Sequence, residues 1–373
     1  MRVFFYLLDG DSNASTYHRA LQYFPLLRQH GIDPRALRPV PRRAYERLVE
    51  RGGRGLPTKA AFYSLFCICR ALDVSRAPAA DVVVVQRDLF PFGPPLLERL
   101  LLRRNPRLVY DTDDATYLRP SFTPDTPFQR LRRFDKVADV VRSARWVSVA
   151  TEPIAAWARA FNPHVSVVPM AVDLRAYDAM SPRRDRRDRV VLGWAGTAGG
   201  LRYLEALAPV FRTVATTKDV RVDVVSGGYK QAQLNGVPLN SRPWRGLEDL
   251  ASFDVGLLPL DDSEFERAKF PFKLLQYWAL GLPVVASRVG IPAQVIEHGQ
   301  NGLLAASPEE WHESLRHLIG DADLRRRLGA AGRDTVAGHY TIERVGPLLV
   351  EGLLSVAAFG SSRPLRGSSA LPG

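Results

Sequence analysis

From Asp254 to Gly302 the chain reads as strand, charged loop, amphipathic helix, turn, strand and glycine-bearing loop. Leu274, Leu275 and Trp278 are spaced for one buried helical face, and Pro271 suits the first turn, where its missing N–H would be unpaired anyway. In an α/β unit this order puts the polar loop and the helix N-terminus on the ligand side of a sheet. Glu266, Arg267, Lys269 and Lys273 cluster there. A cation such as Lys273 in a first helical turn opposes the helix dipole, which suits a lysine that meets phosphate or carboxylate. For each of the four the competing reading is a surface charge or a local ion pair.

The same alternation runs through most of the chain. Strands are expected at VFFYLL, 81–88, 107–111, 146–151 and 165–170, with helices over 15–31, 58–73, 94–104 and 128–142. A second series begins at VVLGWAG (190–196) and continues through a helix over 200–214, strands at 220–227, 254–260 and 283–288, and helices over 246–251, 271–280, 308–318 and 321–338. Alternating βα units imply parallel sheets, and 373 residues suit two domains. The division read from the sequence is a first Rossmann-like domain over 1–178, a basic linker over 179–189, a second Rossmann-like domain over 190–340, a helix over 341–359 crossing back to the first, and a disordered tail over 360–373. Pro347 would lie near the start of that helix or kink it. Two such units place a cleft between the C-terminal edges of two sheets, a preferred position for a nucleotide or nucleotide-linked ligand.

An apolar content of 46% is ordinary, but a formal net charge of +12 is not. Arg42, Arg43, Arg47, Arg51, Arg54 and Lys59 crowd one segment, and SPRRDRRDR another. The first reading is solvated basic surface and the second is contact with anionic membrane. Nucleic acid is not expected, because the basic residues lack aromatic interleaving or a recognition-helix pattern. MRVFFYLL is closed by Asp9 with no small-residue cleavage site, so it reads as a buried strand, and no run approaches membrane-spanning length. Cys67 and Cys69 have neither metal-site nor disulfide-framework spacing. A reducing, cytoplasmic compartment is therefore expected, with association at the cytoplasmic membrane face as an extension.

Gly193 to Gly200 follows the first strand of the second series and precedes a helix, yet spells neither GxGxxG nor a P-loop. It offers close backbone approach and N–H groups for phosphate or sugar, against the plainer reading of a tight turn. In the first half Asp111, Asp113 and Asp114 end a strand at the presumed cleft. They could orient or deprotonate an acceptor hydroxyl, or could simply cap a loop. Residues Ser12 to Arg19 open on the same cleft, whereas His18 reads as helix surface or core. No Ser–His–Asp or metal-ligand constellation emerges.

WAGT (194–197), FDVGLLPLDD (253–262), KFPFKLLQYWALGLPVVAS (269–287), VG (289–290), GQNGLLA (299–305) and LRRRLGAAGR (324–333) resemble the GT-B glycosyltransferases, closest to the retaining family 4. The likeness covers about 180 residues of the second half and is architectural in the first. It implies an α/β GT-B architecture of two Rossmann-like domains facing across a cleft. It further implies a UDP-, GDP- or dTDP-sugar as co-substrate, no obligatory cofactor or metal, and retention of configuration at an acceptor hydroxyl. The acceptor would be a glycan, a lipid-linked molecule or a natural product. Gly196, Thr197, Gly227, Arg267, Lys269, Lys273 and Gln276 become donor-side candidates, and Ser12, Arg19, Asp111, Asp113 and Asp114 acceptor-side ones. Asp111, Glu266 and Lys273 are the catalytic candidates. The family commonly carries two glutamates eight positions apart, which fall here on Ala268 and Gln276. Gln276 can still bind ribose hydroxyls, but Glu266 or Glu264 would have to supply the carboxylate. An epimerase or hydrolase on the same architecture, or an inactive partner subunit, are the rival readings.

Overall fold

The strands of the first half lie side by side and all run parallel. They are β1 (Arg2–Tyr6), β2 (Asp33–Leu37), β3 (Val82–Gln86), β4 (Leu108–Thr112), β5 (Trp146–Val149) and β6 (Val165–Val167), in the order β2-β1-β3-β4-β5-β6. A second parallel sheet has the order β12-β11-β10-β7-β8-β9. Its members are β7 (Val190–Thr197), β8 (Val220–Gly227), β9 (Leu239–Pro243), β10 (Val255–Leu258), β11 (Val284–Ser287) and β12 (Leu303–Ala305). The computed structural model describes residues 1–8, 14–38, 55–120, 123, 127–180, 189–214, 220–227, 237 and 239–359. Ser12, most of the expected linker and the expected tail lie outside them.

The central strands β3, β4, β7 and β10 are buried almost throughout, as strands covered by helices on both faces must be. Three edge strands escaped the sequence reading: β12 is only three residues long, and β2 and β9 contain Pro34 and Pro243, whose missing ladder donor an edge tolerates. The helix expected over 15–31 is broken into Ala14–Arg19, a tight turn at Leu21–Tyr23 and Phe24–Gln29, because Pro25 can enter only a first helical turn. Those expected over 128–142 and 200–214 are likewise broken.

Helix Ile342–Ala358 runs through Pro347 and packs on the first sheet, placing Val345, Leu349 and Leu353 with Val82, Val84 and Val109. Side chains buried so fully contribute about 1.5–3 kcal/mol each. The segment Glu264–Phe272 joins the two sheets' cores. Its Phe265 and Ala268 pack with Ile154, Ala155 and Ala158 of helix Glu152–Arg159 in the first unit's core, and Phe270 packs in the second's. Among the described residues no helix is long and apolar enough to cross a membrane.

Candidate active site

The strand ends on the second sheet set the floor of the site. Gly196 and Thr197 end β7 in register with Ser226 and Gly227 of β8, so three of the expected donor-side residues lie together. Trp194 explains the glycine: a Cβ on Gly196 would come within 2.4 Å of its ring. The backbone here is pressed onto an indole, and Thr197 is exposed.

Glu266 is buried, contrary to its reading as a loop residue, because Glu264–Ala268 forms a short helix capped by Ser263. Phe265 and Ala268 face the first unit, against helix Glu152–Arg159, and Thr151 Oγ1 donates to the Ala268 carbonyl at 2.6 Å. Glu266, two positions before Ala268, projects from another face of the turn. It accepts from the Tyr203 hydroxyl and lies 3.8 Å from Lys269 Nζ. Burial, together with the Glu266 carboxylate, pushes the Tyr203 phenol well above its ordinary range, so it remains a donor. Arg202 bridges Tyr203 at 2.9 Å and Asp261 at 2.8 Å. From the other side Gly290, at φ +55°, lets helix Gly290–Val295 approach so closely that a Cβ would meet the Arg267 backbone at 2.8 Å.

Lys273 and Gln276 form a second cluster, on helix Lys273–Ala279. Lys273 Nζ donates to Gln276 Oε1 at 3.0 Å and lies 4.4 Å from the Trp244 ring centre. Burial pushes the Lys273 amine down to about 8. Against Phe272 lies His18 of the first unit, with ring centroids 3.9 Å apart. Burial lowers the imidazole to about 4; the Gln22 hydrogen bond opposes this and the Lys273 charge adds to it, so His18 is neutral at pH 7.

The acidic triplet of the first unit is brought together but not left free. Asp111 receives both Arg19 Nε, at 3.1 Å, and Arg19 Nη2. Arg19 also donates to Ser148 Oγ at 3.0 Å and to the Val168 carbonyl, and both members of the pair are buried. Asp113 accepts from Ser15 at 2.7 Å and from Arg87, which also holds Asp114. Burial alone would raise Asp113, but Arg87, Ser15 and Arg19 outweigh it and hold the carboxyl below its usual range. Asp111, expected to orient or deprotonate an acceptor hydroxyl, is bound on both oxygens by a buried guanidinium, and the pair ties the Ala14–Arg19 helix to the sheet. Arg19, expected to touch a substrate, is the buried partner in that anchor. Arg267 is also displaced from its expected role, since it pairs with Asp262 on the surface, both more than half exposed. Ser12 lies outside the described residues. Among those residues no group of three or more His, Cys, Asp or Glu is placed to hold a metal ion.

Tyr203, Trp244 and Arg87 went unrecognised in the sequence. A lone aromatic has the same pattern whether it fills a core or lines a site. Arg87 carries a signal only in the backbone, where its φ of 62° is uncommon for a residue with a side chain.

Two facing parallel α/β units with a glycine loop, a buried carboxylate and several cations at the second sheet's strand ends define a GT-B fold. Residues 191–321 match the family model described as Glycosyl transferases group 1. Over those residues, about a third of the chain, the protein is similar to that family. The solved structure of Anabaena HepE in complex with UDP and glucose is 15% identical, superposes with a TM-score of 0.65, and covers 95% of this chain and 100% of its own. A glycosyltransferase from Rickettsia africae gives 0.67 at 10% identity, over 96% and 99% of the two chains. In sequence, the lipopolysaccharide core biosynthesis glycosyltransferase LpsE of Rhizobium meliloti is 31% identical over 74 residues, 19% of this chain and 22% of LpsE. The chain thus spans about a fifth of that relative's length.

Proposed function

We propose that the protein transfers a sugar from a nucleotide-sugar donor to an acceptor hydroxyl, with retention at the anomeric carbon. The observation that carries this reading is the paired cluster on the second unit: Glu266 held by Tyr203 and Lys269, and Lys273 joined to Gln276 beside Trp244. In this reading Gln276 hydrogen-bonds the ribose, and Gly196, Thr197 and Gly227 line the diphosphate. Lys273 and Lys269, with Arg202, offset the charge that develops on the leaving diphosphate. Glu266 accepts a hydroxyl of the donor sugar and steadies the developing positive charge at its anomeric carbon. The acceptor oxygen bonds to that carbon on the face the diphosphate leaves, the bond from carbon to phosphate oxygen breaks, and the acceptor proton passes to the departing oxygen. Such a route uses no enzyme nucleophile, and the engagement of Asp111 by Arg19 leaves it compatible with the first unit.

The first unit supplies the acceptor side, with His18 on Phe272 closing the boundary between the two. We place the acceptor among glycans, lipid-linked molecules and natural products, and the reaction in a reducing cytoplasmic compartment with contact to anionic membrane. The test is calorimetric binding of UDP-, GDP- and dTDP-sugars, followed by product analysis with an acceptor panel. Saturable binding of one donor and an α-linked product from an α-linked donor are expected. No binding of any nucleotide sugar overturns the proposal.

A further inference from the structure

Helices Leu56–Ser75 and Leu96–Arg104 pack side by side on the first unit and carry apolar side chains to the outside. Ile68 and Leu72 are 59% and 58% exposed, and Leu96 and Leu100 are 63% and 38% exposed. Each pair is spaced i,i+4 and so lies on one side of its helix. The charges on the two helices are sorted. Their acidic residues, Asp73 and Glu98, are buried, Asp73 between Arg70 and Arg76 and Glu98 against Lys136. Lys59, Arg99, Arg103 and Arg104 are exposed, as is Arg76 just beyond the first helix. Arg99 reaches an exposed carboxylate, Asp139, at 3.9 Å.

We infer that these two helix faces dock the protein on an anionic phospholipid surface. The inference deepens the membrane contact proposed above by naming the surface and the lipid charge. An apolar stripe with cations beside it and its own carboxylates buried matches the boundary between acyl chains and anionic headgroups. A protein partner of the same charge preference would need a carboxylate-rimmed groove, whereas lipid supplies both parts in every orientation. The location also fits an acceptor delivered from the membrane. On the same helix Tyr63 meets Phe92 at 4.7 Å and Phe66 meets Phe90 at 5.6 Å, and Phe90 and Phe92 belong to the loop beyond the C-terminal end of β3. The exposed face thus continues into the aromatic side chains on the substrate side of the first sheet.

The experiment is flotation of the full chain with vesicles of phosphatidylglycerol mixed into phosphatidylcholine, and with phosphatidylcholine alone. Binding is expected on the anionic vesicles only, weakened about tenfold or more in Ile68→Ser/Leu72→Ser and in Arg103→Glu/Arg104→Glu. These positions are exposed, so both variants should keep the wild-type melting temperature and nucleotide-sugar affinity. Equal vesicle binding by wild type and variants overturns the inference, as does equal binding to both lipid mixtures. A concentration-dependent dimer that the variants abolish, without vesicle binding, assigns the face to a second copy and overturns it too. Retained donor binding in those cases leaves the proposed transfer reaction standing.

Discussion

His18 and Phe272 meet across the boundary between the two units, their rings tilted by 38° with centroids 3.9 Å apart, and His18 is held neutral by burial. Protonation of His18 therefore destabilises the folded state. A histidine depressed from 6.5 to about 4 contributes stability that is complete above the unfolded value and lost as pH falls towards 4. The loss amounts to about 3 kcal/mol at most. Urea unfolding of wild type and His18→Asn at pH 7.5 and 4.5 measures it: wild type should lose more stability on acidification than the variant. Equal losses would remove His18 from the account.

Lys273 gives a pH dependence of the opposite kind. Its amine, at about 8, is charged at pH 7 and loses its charge as pH rises through 8, while free lysines stay charged. Affinity for a nucleoside diphosphate should fall about tenfold between pH 7 and 9.5. Lys273→Arg should flatten that profile, because a guanidinium does not titrate there. In the empty protein the sign reverses, since a lysine depressed on folding favours the folded state increasingly as pH rises above 8. A flat wild-type binding profile would separate Lys273 from the diphosphate.

The carboxylate lies at 266 and not at 268, and the packing says why. Ala268 is buried against the first unit while Glu266 meets Tyr203 and Lys269. Glu266→Gln should lower turnover about 100-fold with little change in donor affinity. Ala268→Glu, which restores the family's usual residue, should cost about 3 kcal/mol in stability by burying an unpaired charge and should not rescue Glu266→Gln. Thermal unfolding and steady-state kinetics on the three variants decide the matter. Rescue by Ala268→Glu would show that position 268 reaches the sugar after all.

The architecture was legible because strands buried on both faces and helices with one apolar stripe differ in period, and both sheets follow from that alternation. The edge strands β2 and β9 were not, since Pro34 and Pro243 read as strand breakers until their edge position is known. At the candidate site the sequence showed which charged residues cluster but not their orientation. Glu266 and Arg267 are adjacent and equally polar, yet one is buried under Tyr203 and the other lies on the surface with Asp262. Helical phase decided that, and the phase is set by Phe265 and Ala268 seeking the first unit's core, a contact between segments more than a hundred residues apart.

Arg19 and Asp111 offer the sharpest contrast between a substrate-handling role and an anchoring one. The two side chains are buried together, 92 residues apart in sequence, and Arg19 also ties down Ser148 and the Val168 carbonyl. Removing one partner leaves the other charge buried without compensation, at a cost of about 3–5 kcal/mol. Asp111→Asn and Arg19→Met should each lower the unfolding free energy by that order. The double variant Arg19→Met/Asp111→Leu should recover part of the loss, because neither charge is then stranded. If Asp111 instead served as the general base, Asp111→Asn would keep its stability and lose its turnover. Chemical denaturation together with activity at a temperature where every variant remains folded separates the two, and the anchoring role requires the stability change together with strong coupling between the two positions.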